Sequence, residues 1–277
     1  MTRAGLPLLA LLLALLLAFD AAAAPPMIDA HAHYPAPDAA AFSPASVIAK
    51  LDAAGVIQLV TTSSPPALAQ TLYRHAPDRI IPLLGVYEAD LHKAHWVHDA
   101  TLPARVAAQL DTGHWAGLGE LHLFAADARA PVFEQLVRLA ASRNLVLMLH
   151  GDGAVVERAF EIAPTVRVLW AHLGTEPVPD KLDAMLARHP NLWVDTSVRD
   201  DRIAPDGVLL SAWRALFERH PGRFVVAVDT FSVNRWRHYE GVVADIRRWV
   251  DPLPEPLKSN LLHDNAARLF DRFIPRP

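Results

Sequence analysis

Eight short apolar runs alternate with helix-like segments over about 250 residues, and this pattern predicts a single-domain (β/α)8 TIM barrel. A second observation agrees: polar residues able to do chemistry recur at the C-terminal ends of those runs, where a barrel of this kind carries its site. A third is an absence. No glycine-rich phosphate loop follows the first run, which places an open doubly wound sheet second.

The runs read as strands near 27–32, 57–62, 80–86, 117–123, 145–150, 166–171, 191–196 and 223–228. Ser43-Pro44 opens the first connecting helix, with Ser as cap and Pro at the first helical position, and Gly55 closes it. Ser64-Pro65-Pro66 opens the second. Pro103–Leu110 forms the third, ended by Gly113. Ala130–Arg143 is the fourth, with Phe133, Leu136, Val137 and Ala140 along one face. Further helices are predicted near 153–163, 179–188 and 206–220, and a terminal helical region over 237–250 and 257–272. The 23 prolines fall mostly at turns and helix starts, and no linker-like stretch divides the chain.

The N-terminus reads separately. Arg3 is followed by a Leu/Ala run from Leu8 to Phe19, too short to span a bilayer comfortably; Asp20 breaks it and Ala21–Ala24 supply small residues. This is the pattern of a secretory signal peptide over 1–23, cleaved after Ala23. A cut after Ala24 would set Pro25 beside the scissile bond. The expectation is therefore a barrel domain over 24–277, exported to the periplasm and free of the membrane once cleaved. The alternative is a retained anchor. With no cysteine in the chain, a lipoprotein, disulfides, thiolate ligands and a Cys nucleophile are all excluded. A net charge of −4 with no basic stripe argues against a nucleic-acid partner and leaves a small-molecule substrate.

The chemistry lies at the strand ends. The first ends in His31-Ala32-His33, the fourth in Glu120-Leu121-His122, the fifth in His150, the sixth in His172 and the eighth in Asp229. Side chains alternate along a strand, so His31 and His33 face one way and can share an ion. Any one of these residues has a bland reading, as a core histidine or a turn carboxylate. Histidine makes up only 14 of 277 residues, and its recurrence at three strand ends, with acids at two more, favours a metal site. Imidazole with carboxylate suits a divalent ion, zinc first, with Mn, Fe, Co or Ni as alternatives.

The order HxH, Glu, His, His, Asp on strands one, four, five, six and eight resembles the amidohydrolase superfamily of metal-dependent barrels. Asn265-Ala266-Ala267-Arg268-Leu269-Phe270 resembles the closing helix of its amidohydrolase-related branch (amidohydrolase 2). The resemblance implies one or two ions: His31 and His33 with Asp229 on the first, and His150 and His172 on a second. Alternatively, His172 would hold the attacking water or the substrate. It implies Glu120 as a bridge, as in TatD-like relatives, where many members carry a carboxylated lysine instead, and Asp229 as general base. His122 shares strand parity with Glu120 and competes for its role, with substrate binding as the other possibility. Because the first strand starts so early, no flanking β-sandwich is expected.

The loops after the strands should choose the substrate. Arg199 and Arg235 could clamp a carboxylate or phosphate. His92, His95 and His98 read better as a solvated loop. Asp29, sharing parity with the two histidines, is expected to orient one of them. The functional expectation is an exported hydrolase acting on an amide, lactone or ester. The alternatives are a non-oxidative decarboxylase on the same barrel, a TatD-like nuclease and a non-catalytic binding barrel.

Overall fold

The structure, a computed structural model, describes residues 25–274; the segment read as a leader, 1–23, lies outside the described residues. Eight strands are present: β1 Met27–His33, β2 Val56–Thr62, β3 Ile80–Leu84, β4 Gly117–His122, β5 Val146–His150, β6 Arg167–Trp170, β7 Leu192–Asp195 and β8 Phe224–Val225. They form one parallel sheet in chain order from β1 to β8. The sheet curls shut where the Ala30 N–H donates to the Val226 carbonyl (3.2 Å) and the Asp229 N–H to the His31 carbonyl (2.8 Å). This is the expected (β/α)8 barrel. Among the described residues no helix is long and apolar enough to cross a membrane.

Eight principal helices cover the strands: α1 Pro44–Ala54, α2 Ala67–His75, α3 Leu102–Thr112, α4 Pro131–Ser142, α5 Gly153–Ile162, α6 Pro179–Arg188, α7 Ser211–Arg219 and α8 Tyr239–Val250. Ser43 caps α1 by accepting the Ser46 N–H (3.2 Å), and Gly55 ends it at φ 66°. The start of α2 differs from expectation. It begins at Ala67 without a side-chain cap, and Ser63, not Ser64, accepts the Ala69 N–H at 2.8 Å. The helix expected over 206–220 keeps only Ser211–Arg219, because Pro205–Gly207 forms a separate tight turn that is non-helical at Asp206. The region 257–272 divides into Leu257–Ser259, a widened turn over Asn260–Asp264 and Asn265–Leu269.

Two apolar layers follow from strand alternation. Leu59, Leu121, Leu147, Leu149, Val168 and Val194 face outward onto helix residues such as Phe133, Leu136 and Phe217. Ile28, Ala30, Val60, Ile81, Val146, Met148, Leu169 and Val225 fill the barrel, and Leu269 and Phe270 join them from the chain's end. Asn265 ties that closing segment to the start of β8 by donating to the Pro221 and Phe224 carbonyls at 2.9 and 2.7 Å. The interior is thus packed up to the level at which its residues turn polar.

Candidate metal centre

Two inward files of apolar side chains run straight into a ligand. Along β5 it runs Val146, Met148, His150; past β8 it runs Val225, Ala227, Asp229. On β1 the pairing slips between Asp29 and Ala32, and on β4 between Leu118 and Leu121. Irregularities of this kind re-aim side chains beside functional sites. On β1 the slip moves the inward face from Ile28 and Ala30 to His31 and His33. Asp29 is therefore not the expected orienting group. It accepts the His31 and Val228 N–H groups (3.2 and 3.0 Å) and the Tyr239 hydroxyl (2.9 Å), and so seals the β1–β8 seam. Here the slip defeats parity reasoning.

Glu120, buried at the axis, is the hub. One oxygen lies 2.9 Å from His150 Nδ1, 3.2 Å from His172 Nε2 and 3.7 Å from His31 Nε2. The other lies 2.7 Å from His122 Nε2 and 3.3 Å from His33 Nε2. Asp229 Oδ1 sits 3.3 Å from His33 Nε2 and 3.9 Å from His31 Nε2, and it is buried without a hydrogen-bond partner. The two β1 imidazoles face each other at 3.1 Å. Ligand atoms on a tetrahedral zinc stand roughly 3.3 Å apart, given Zn–N bonds near 2.0–2.1 Å. The atoms of His31, His33 and Glu120 are therefore spaced to share one ion, with Asp229 beside both imidazoles. The structure brings all six expected ligands together.

The strand-end rule also points to a residue the sequence reading passed over. β7 ends in Asp195, fully buried, whose Oδ2 accepts from His31 Nδ1 at 3.1 Å. Its Oδ1 accepts the His172 N–H (3.0 Å), the Ser197 N–H (3.0 Å) and the Ser197 hydroxyl. This fixes the orientation of two rings. Ser197 spends its only proton on Asp195, so its oxygen must accept from His172 Nδ1 at 2.7 Å. With Nδ1 engaged by Asp195 and by Ser197, His31 and His172 both turn Nε2 to the centre, the atom an ion would bind. Asp229 and His172 adopt positive φ (56° and 62°), a strained conformation for non-glycine residues that the surrounding bonds hold in place. His33 is positioned through its backbone, by Thr230 Oγ1 (2.9 Å) and by Trp236 Nε1 donating to its carbonyl (2.9 Å).

The electrostatics fit a cation. Burial opposes charge on His31, but Glu120, Asp229 and Asp195 outweigh it and push the imidazole up to about 10. Burial opposes ionisation of Glu120, yet His31 and the hydrogen bonds from His122, His150 and His172 hold it well below the usual carboxylate range. Asp195, buried too, is held down to about 2, chiefly by His31. A pocket that gathers carboxylates so tightly demands positive charge at the His31 Nε2 position, and a divalent ion supplies it in place of a proton.

A cavity of about 760 Å3 opens over the centre, lined by His150, His172 and Asp229 and, further out, by Arg199, Arg235 and Phe231. Arg199 donates to the carbonyls of His172 (2.9 Å) and Gly174 (3.2 Å), and Arg235 to that of Val228 (3.2 and 2.9 Å). Both guanidiniums are held by backbone and, among the described residues, form no ion pair. His92, His95 and His98 are exposed.

The family model for amidohydrolases matches residues 18–272. A search of curated proteins finds no match. Among solved structures, an amidohydrolase from Burkholderia multivorans with bound zinc aligns at 15% identity and a TM-score of 0.59, covering 90% of this chain and 99% of its own. A TatD homologue from Escherichia coli aligns at 16% and 0.64, covering 90% and 98%. A probable 2-pyrone-4,6-dicarboxylic acid hydrolase from Acinetobacter baumannii, with citric acid bound, aligns at 16% and 0.62, covering 88% and 99%. Identities this low establish a shared barrel, and function has to be argued from the site itself.

Proposed function

Because the chain belongs to the amidohydrolase family, we propose that this metal-dependent hydrolase opens an amide, lactone or ester bond in a small molecule that carries a carboxylate. The observation that carries the reading is the hub: five imidazoles present ring nitrogens to one buried carboxylate, beside an unpartnered oxygen of Asp229. A divalent ion held there, zinc before Mn, Fe, Co or Ni, would acidify a water and polarise the substrate carbonyl.

The remaining steps belong to the chain's own groups. Asp229 takes the proton of the attacking water and returns it to the leaving group. His172 Nε2, 3.8 Å from Asp229 Oδ2, orients that water. Arg199 and Arg235, pinned by carbonyls with donors to spare, bind the substrate carboxylate as two separate cations. The cavity's size suits a small molecule. Its rim also carries Asp200, Asp201 and Asp206, which would repel a polyanion, so a nuclease role is disfavoured. The leader pattern of 1–23 supports export to the periplasm. Sequencing the N-terminus of the exported protein should find Ala24.

Asp229→Asn tests the chemistry. At full metal loading, turnover should fall by about 10³-fold, within the usual range for losing a general base, while melting temperature holds. A fully active variant would remove Asp229 from its role. Release of CO2 from an aromatic acid, without net addition of water, would turn the assignment to a decarboxylase.

A further inference from the structure

We propose that His122 is a metal ligand: with Glu120 and His150 it forms a second ion site, joined through Glu120 to the site of His31, His33 and Asp229. The inference rests on the metal-dependent reading above and gives the second ion a ligand set different from the one the family resemblance implies. Placement comes from register. His122 and His150 are partners on the adjacent parallel strands β4 and β5, so they project to the same side. Their rings stack with centroids 4.2 Å apart and 16° between planes. His122 Nε2 meets one oxygen of Glu120 at 2.7 Å and His150 Nδ1 meets the other at 2.9 Å. One donor atom from each of the three residues lies within 4.8 Å of the other two.

His122 is also held more firmly than a surface histidine needs to be. Its N–H donates to the Tyr87 hydroxyl at 2.7 Å, and its carbonyl accepts from Trp96 Nε1 at 2.9 Å. Both aromatic residues lie beyond the end of β3 and are buried. His172, the other candidate for the second ion, is committed elsewhere. Ser197 holds its ring and Asp195 its backbone N–H, and its Nε2 sits between Glu120 and Asp229, where a water must be steered. Three protein ligands of imidazole and carboxylate type leave a fourth position open, the usual make-up of a site that exchanges water. Borderline ions such as Zn2+ and Co2+ suit this set.

The experiment is a Co2+ titration of chelator-stripped protein, followed by the visible d–d absorption and by elemental analysis after gel filtration. Wild type should bind two ions per chain. His122→Ala should keep one tight ion and weaken the second by more than 100-fold, beyond the 10–100-fold expected when only a supporting residue is lost. His122→Gln keeps a hydrogen-bond donor for Glu120 but is a poor ligand, and it should behave like Ala. His122→Asp restores a ligand and should recover the second ion. These two variants decide the matter if Ala disturbs the mouth. Two ions bound to His122→Gln within tenfold of wild-type affinity would overturn the proposal, reducing His122 to a positioning residue. So would a wild type that binds a single ion which His122→Ala leaves unchanged; the hydrolase reading would survive that result. A wild type that binds none would sink both.

Discussion

Single residues here are read through their neighbours. His31 could be picked from the sequence as a ligand because it ends an apolar strand. What makes it a good ligand is Asp195, 164 positions away, which accepts the Nδ1–H hydrogen bond and turns Nε2 to the centre. Asp195 was legible by the same strand-end rule, since β7 reads Leu192-Trp193-Val194-Asp195. Asp29 was misread because parity counting assumes an unbroken pleat. Asp195→Asn should therefore weaken metal binding about 10–100-fold without unfolding the barrel, as measured by competition with a chromophoric chelator. Metal uptake should also depend on pH. Without an ion, the carboxylates outweigh burial and keep His31 protonated up to about 10, so ligation must expel that proton at any lower pH. Apparent affinity then rises with pH, about tenfold per unit for each proton released. The same competition run at pH 6, 7 and 8, corrected for the chelator's own protonation, checks this. A flat profile would show that no proton leaves.

At the scale of elements, the strands and helices were legible, and the parts that were not are informative. Periodicity located every strand, because each is covered on both faces and must be apolar along its length. It could not show that regular pairing in β8 stops at Val225, since that depends on the Asp29 carboxylate entering the seam from another strand. Nor could it show the slip in β4, which aims Glu120 and His122 together into the barrel. Gly119 lies within that slip at φ 138°, and a Cβ there would come within 2.6 Å of the Met148 carbonyl oxygen. Backbone strain and overpacking coincide, so Gly119→Ala should cost about 3 kcal/mol, read from urea unfolding. Because Glu120 is the next residue, metal binding should weaken with it.

At the scale of the whole molecule, the barrel divides its work between two ends. One is plugged by the chain's last helical segment, which buries Leu269 and Phe270 against Ile28, Val225 and Ala227. The other gathers ligands from β1, β4, β5 and the segments after β6 and β8. The closing segment was legible as a family resemblance before its structural role was apparent. Phe270→Ala should cost about 3–5 kcal/mol through the cavity it leaves. It should leave metal stoichiometry intact, because the plug and the centre lie at opposite ends. A loss of metal at full folding would contradict that division.

The proposed chemistry requires that one carboxylate, ringed by five histidines, hold metal. It is tested most directly by counting ions, using elemental mass spectrometry on protein purified without its leader in chelator-free buffer. About two transition-metal ions per chain are expected. None, with none regained on adding zinc, manganese or cobalt, would contradict it.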